Sequence, residues 1–487
     1  MLKNKTLSTY VLEHEKLLSI FLLIVLLVLL ITPRIGIYLL HIPENVSIDA
    51  TSRYFPQAEK LGESLKNFYQ QTGPAYSLLI LIFKKLFGNP VKSIVIFQHV
   101  IGVVSALMLF NYFRRISLFV AFIIPVLVFC GPRVLSLEHS IFRESITSFL
   151  FILFFIIGSR FMNNKQLEEK AFLYGLLTGL ILFTLVLFRM EYVIIYLLFP
   201  VVLMLIISIK RLQKIKGKNG VLWLTGYALP VLLAFVVWAS ITNRPVIKNT
   251  YGGTFNIAYY MLQPDVYYYE GSKYPELIKA YQDDLSAVKQ KTGEECIYNQ
   301  SPAAMCELMG AHYESTNRYL SNHPEIKLNM LGMMDTVFVE MALKNKFAYF
   351  KSVLVNFKYL LLSECVESQD NALILPAIKT KYIIADKIFY FLTIPNRINP
   401  KTVNKYLFIF FFAAFPIVAF KYRIMPAEVL LILFVMTIQL VLYSFIATPT
   451  PRFRSPMDPF IYFIQLCPLW LLLRYYLGEY KRRFIYG

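Results

Sequence analysis

Apolar positions along this chain fall in long unbroken runs, such as Leu17–Ile31, Ile146–Gly158 and Val429–Ala447. A helix needs about 20 apolar residues to cross a bilayer core of about 30 Å. The runs and the short polar turns between them predict ten transmembrane helices. They lie at about 17–40, 93–113, 117–135, 143–160, 171–188, 191–209, 221–241, 404–420, 426–447 and 459–476. The expected fold class is an all-α polytopic membrane bundle. The first run follows His14-Glu15-Lys16 and lacks a small-residue cleavage site, so it is expected to stay as a span.

One run departs from the pattern. Ala75–Phe83 has nine apolar residues, about 14 Å of helix at about 1.5 Å per residue. That is too short to cross. Its placement also decides the topology. If it crossed, Arg114-Arg115, Arg160 with Lys165 and Lys170, and the Lys210–Lys218 cluster would change sides relative to the N-terminus. If it lies along the surface, all of them fall on the cytoplasmic side with both termini, as the bias of basic loops requires. Pro74–Gly88 is therefore read as an interfacial helix. Phe347–Ser363 and Ala372–Leu392, apolar but interrupted by lysines, are read the same way.

Three regions follow: an N-terminal transmembrane module at 1–241 with a first external loop at about 41–92, an external segment at 242–402, and C-terminal helices at 403–487. Within the external segment, Asn256–Tyr319 reads as a small globular piece of helices and loops.

Composition supports the membrane reading. The 487 residues are 57% apolar and only 16% charged, where soluble domains carry about a quarter charged residues. The net charge of +19 is unevenly spread: residues 242–402 hold 17 Lys+Arg against 16 Asp+Glu, leaving 32 against 14 elsewhere. The excess thus marks helix ends and orientation. A nucleic-acid surface would gather it on one soluble face, so the expected partner is the lipid bilayer and not nucleic acid. Of the five cysteines, Cys130 and Cys467 read as packing residues. Cys296 and Cys306 would pair in an oxidising compartment, with Cys365 a rival partner. No phosphate loop, Rossmann glycine motif or HExxH is present, and no paired carboxylates occupy the middle of a span. A pump or a nucleotide-driven enzyme is disfavoured.

Ionisable residues near a membrane core are costly and tend to mark function. With this topology Glu44 and Asp49 fall in the first external loop, and Glu138, His139, Arg143 and Glu144 at the turn before the fourth span. Arg189 and Glu191 fall at the turn before the sixth, and Arg452 and Arg454 at the turn before the tenth. Each has a plainer reading alone: Asp49 as a helix cap before Thr51–Leu61, the Arg–Glu pairs as interfacial charges, His99 as a hydrogen bond between helices. Four turns on one face, however, present the carboxylates and guanidinium groups needed to bind an anionic head group and move a proton.

The order of short motifs adds to this. Asp49, Tyr54 and Ala58–Leu61 come first, then Pro74-Ala75-Tyr76 opening a segment that ends in Leu86-Phe87-Gly88. Gln98…Gly102 leads to Arg114-Arg115, Glu144 opens the fourth span, and Gly175…Gly179 precedes Arg189-Met190-Glu191. Arg452-Phe453-Arg454-Ser455-Pro456 precedes the last span. In this order the chain resembles the GT-C glycosyltransferases, in particular the protein O-mannosyltransferase group that includes lipid A aminoarabinose transferase. The resemblance covers about 15–245 well and about 403–475 loosely.

The resemblance implies a GT-C bundle that moves a sugar from a polyprenyl- or dolichyl-phosphate donor to a hydroxyl of a lipid, glycan or protein acceptor. Asp49 would be the general base, and Glu144 an orienting group or acceptor contact. Arg189, Arg452 and Arg454 would hold the lipid phosphate, Lys84 and Lys85 would meet the lipid surface, and Tyr54, Glu191 and His139 would line the substrate site. Some relatives depend on a divalent metal, for which no ligand set is readable here. The expected location is a bacterial inner membrane with the site facing the periplasm. Two other readings compete. A polymerase or ligase using a diphosphate-linked glycan would want more external cations than a net +1. A lipid or sugar transporter would want interrupted helices and midplane charges, for which His99 is the sequence's single candidate.

Overall fold

The computed structural model describes residues 2–40, 50–64, 74–114, 118–163, 167–189, 192–209, 218–242, 272–298, 302–327, 330–362, 431–438, 440, 456 and 458–463. Among these residues the regular structure is helical throughout. Among the described residues five helices are long and apolar enough to cross a membrane: Lys16–Leu39 within α1 (Leu2–Leu40), α4 (Pro90–Phe113), Glu144–Phe161 within α7 (Glu144–Asn163), Lys170–Phe188 within α8 (Leu167–Phe188), and Asn219–Val237 within α10 (Lys218–Thr242). They carry large apolar side chains on their outer faces, among them Phe21, Val28, Val100, Leu173 and Val236. So wide an apolar exterior suits lipid rather than water. The chain is an all-α membrane protein.

Between α1 and α4 lie a π-helical turn (Ala50–Tyr54), α2 (Phe55–Glu63) and α3 (Pro74–Phe87). The 14 residues of α3 make about 21 Å of helix, short of a bilayer core. α3 stops at Gly88, whose φ of +72° suits glycine. Asn89 then starts α4 by accepting hydrogen bonds from the Val91 and Lys92 amides at 3.0 and 3.2 Å, with Pro90 in the first helical position.

The expected span at 117–135 is broken. α5 (Leu118–Phe129) ends at Cys130-Gly131, and α6 (Pro132–His139) begins at a proline. Pro132 lacks an amide donor and drives Gly131 into extended backbone, with φ −70° and ψ 139°. The break turns Glu138 inward, and it is fully buried rather than set in an external turn. α9 (Val193–Ile209) follows α8, and α8 crosses α10 closely. A Cβ at Gly175 or Gly179 would strike the Trp223 or Tyr227 backbone, and one at Gly226 would come within 2.9 Å of the Leu176 amide nitrogen. Small residues thus let the two backbones touch.

The remaining described helices before residue 363 are α11 (Pro275–Thr292), α12 (Glu294–Tyr298), α13 (Pro302–Asn322), α14 (Pro324–Lys327), α15 (Met330–Lys344) and α16 (Lys346–Leu362). They share a second apolar core of Leu277, Tyr281, Leu308, Met333 and Val337. Cys296 packs against it as a free thiol, so the expected bond to Cys306 is not formed; a half-buried cysteine serves there as a small apolar side chain.

Candidate functional site

Two buried ion pairs lie where α1, α3, α4, α6, α7 and α8 converge. In the first, Arg34 reaches from α1 and donates from Nε and Nη2 to the two carboxylate oxygens of Glu138, at 2.8 and 2.7 Å. Its Nη1 donates to the Leu30 carbonyl at 2.8 Å, and Nη2 also to the Phe129 carbonyl at 3.1 Å. That last carbonyl is at the end of α5, where no further helical turn can use it. Glu138 Oε2 also meets His99 Nδ1 at 3.0 Å, and His99 Nε2 lies 3.4 Å from His139 Nδ1. If His99 Nδ1–H donates to the carboxylate, neutral His99 Nε2 accepts from His139. Gly102 makes room for the pair: a Cβ there would lie 2.6 Å from Glu138 Cδ and 2.9 Å from Arg34 Nη2. A cavity of about 10 Å³ between Gly102, Glu138 and Ser145 has space for about one water.

Gln98 and Tyr76 connect this cell to the next. Gln98 Nε2 donates to the Glu138 and Ser140 carbonyls at 2.8 and 2.7 Å, and its Oε1 accepts from the Tyr76 hydroxyl at 2.8 Å. The Tyr76 ring meets Tyr54 edge-on at 4.8 Å and lies 6.4 Å from Phe188, the residue before Arg189. Burial holds the Tyr76 hydroxyl well above its ordinary range; Tyr54 and Glu144 add to this, and Arg143 opposes it.

The second cell is built on the start of α7. Glu144 Oε1 accepts from Arg189 Nη2, and both side chains are buried. Arg143 donates from Nη1 to the Phe188 carbonyl at 2.7 Å. Its Nε, and Oε2 of Glu144, are buried with no hydrogen-bond partner among the described residues. Buried polar atoms are normally paired, so these two are open to a ligand in a way that Arg34 and Glu138 are not. The N-terminus of a long helix also favours an anion.

No family model matches this chain, and no curated protein does.

Of the residues expected at the site, the structure brings together Glu144 and Arg189, seats Tyr54 against Tyr76, and buries His139 beside His99. Lys84 and Lys85 are exposed near the end of α3, where Lys84 Nζ lies 3.5 Å from Glu59. Asp49, Glu191, Arg452 and Arg454 lie outside the described residues, although Ala50, which follows Asp49, is fully buried. After the Arg452–Pro456 motif, Phe460 packs on Phe155 and Phe463 stacks on Phe113. Those contacts are 11 residues along α7 from Glu144 and 15 along α4 from Gln98, roughly 16 and 22 Å of helix. Sequence reasoning did not single out Arg34. Its signal was available: a lone cation inside the first expected span at about 17–40. Among the described residues no three His, Cys, Asp or Glu side chains could hold a metal ion.

Proposed function

We propose that the protein is an integral membrane transferase that moves a sugar from a lipid-phosphate donor to an acceptor hydroxyl on the outer face of a bacterial inner membrane. The observation that supports this reading most is the half-satisfied second cell: Arg143 Nε and Glu144 Oε2, buried beside Arg189 and open to a ligand. In the reaction the acceptor oxygen bonds to the anomeric carbon as the bond from that carbon to the phosphate oxygen breaks. Asp49 takes the acceptor proton as general base. The lipid phosphate leaves as an anion, met by the guanidinium groups of Arg143 and Arg189. Glu144 keeps Arg189 in orientation through its first oxygen and offers the second to the acceptor hydroxyl.

Asp49→Asn keeps size and polarity but cannot take the proton. It should lower turnover about 10²–10⁴-fold with donor binding retained, measured with purified protein and a radiolabelled polyprenyl-phosphate sugar. Full turnover in that variant overturns the base assignment. Arg189→Lys keeps charge but loses the planar fork and should weaken both donor binding and turnover.

A broken helix and a buried charged cell would also suit a transporter. The first cell argues against that use, because its charges are paired and the adjoining cavity of about 10 Å³ has no room for a sugar or a lipid head. Substrate flux into liposomes without any transfer product would favour transport.

A further inference from the structure

We propose that a cleft of about 430 Å³ between the ends of α4 and α7 and the start of α8 binds an anionic phospholipid. The cleft is at the opposite end of the bundle from the two ion-pair cells. Asn111 is 13 residues along α4 from Gln98, and Arg160 is 16 along α7 from Glu144, roughly 20 and 24 Å of helix. Leu153 and Ile157 form part of its apolar wall, while Asn111, Tyr112, Arg160 and Lys170 supply its polar lining. The Tyr112 hydroxyl is fixed by a hydrogen bond to Ser159. Arg160 and Lys170 are exposed, and both charges among the described lining residues are therefore positive.

Two cations at the mouth and an apolar wall below match a phosphodiester head group with its acyl chains running down the bundle. A soluble phosphate would use the cations and leave the wall bare. The helix length agrees: the roughly 24 Å of α7 between Glu144 and Arg160 is most of a bilayer core of about 30 Å, which sets the two residues toward opposite head-group layers. Basic pockets between transmembrane helices are suited to anionic lipid heads. The proposal does not rest on the glycosyl-transfer reading, since neither cation belongs to the cells described above.

Native mass spectrometry of the full chain in detergent tests it, with phosphatidylglycerol and phosphatidylcholine of the same acyl chains as probes. The wild-type protein should retain phosphatidylglycerol preferentially. R160Q/K170Q should weaken that retention about 20- to 30-fold, at about fivefold for each basic residue near a lipid surface, and R160K/K170R should keep most of it. Equal retention of the two lipids, or unchanged retention in R160Q/K170Q, overturns the proposal. So does displacement of phosphatidylglycerol by millimolar glycerol phosphate, which would assign the site to a soluble phosphate. If the double variant fails to fold, R160Q alone carries the test, with a fivefold loss expected and no loss overturning it.

Discussion

Arg34–Glu138 and Glu144–Arg189 are both buried guanidinium–carboxylate pairs at one end of the same bundle, yet their surroundings differ. Arg34 uses Nε and both terminal nitrogens, and both oxygens of Glu138 are occupied. Gly102 has no side chain to separate them. Around Glu144 one carboxylate oxygen and the neighbouring Arg143 Nε have no partner among the described residues. Taking a charge out of water costs several kcal/mol per ion. The first cell offsets that cost within the protein, while the second leaves part of it for a ligand to offset. Burial and ion pairing alone would therefore rank the two alike; the hydrogen-bond inventory separates a structural pair from a binding one.

The sharpest way to break this contrast is at Glu138. Glu138→Gln leaves the Arg34 charge buried and uncompensated, so unfolding stability should fall by about 3–5 kcal/mol, read by denaturant unfolding in detergent micelles. The paired exchange Arg34→Met with Glu138→Leu should recover most of that loss, because an apolar pair of similar volume removes both buried charges. A loss in the double variant as large as in the single one would mean that the pair does more than hold the helices together.

Gly102→Ala comes next, at about 1–3 kcal/mol, because the added methyl group must displace a carboxylate held on both oxygens. Its thermal midpoint should fall while that of Gly36→Ala, where a Cβ meets nothing within 4 Å, changes little. A Gly102→Ala protein as stable as wild type would show that the first cell is looser than its geometry.

The smallest effect concerns pH and guards the comparison against a misreading. His312 on α13 bonds Asp284 at 2.9 Å. Burial lowers its pKa below the ordinary value, with the hydrogen bond and charge of Asp284 opposing. Below about pH 6.5 the unfolded chain takes up a proton that the folded protein resists, so stability at α11 and α13 should fall as pH drops through that range. Hydrogen exchange of peptides from α11 and α13 in the full chain should quicken from pH 7.5 to 5 after correction for the intrinsic rate. His312→Gln should remove the excess. Acid loss of activity that persists in His312→Gln then belongs to the membrane cells.

Much of the transmembrane scaffold was legible in the sequence, because long apolar runs bounded by charge or proline have few alternatives in lipid. α4, α7, α8 and α10 start and end within about five residues of the expected spans. The break at Cys130-Gly131 was signalled by Gly131-Pro132-Arg133, but the expected span ran through it to residue 135 because Val134 and Leu135 resume the apolar pattern. The inward turn of Glu138 follows from that break, so its pairing with Arg34 was missed as well. Glu144 and Arg189 were placed on one face from turn order alone, and the structure pairs them. Arg143 entered the reading only as one of several turn charges; its role depends on which of its nitrogens is paired, which no sequence pattern encodes.

The central claim is that the cell at the start of α7 meets the donor phosphate while the Arg34–Glu138 cell supports the fold. Equilibrium binding of a labelled polyprenyl-phosphate sugar to Arg143→Gln, with thermal unfolding of the same preparation, tests it most directly. A hydrogen bond to a charged group is worth about 1.5–3 kcal/mol, so donor affinity should fall about 10- to 150-fold with the unfolding midpoint nearly unchanged. Donor affinity equal to wild type in a protein of unchanged stability would contradict the account.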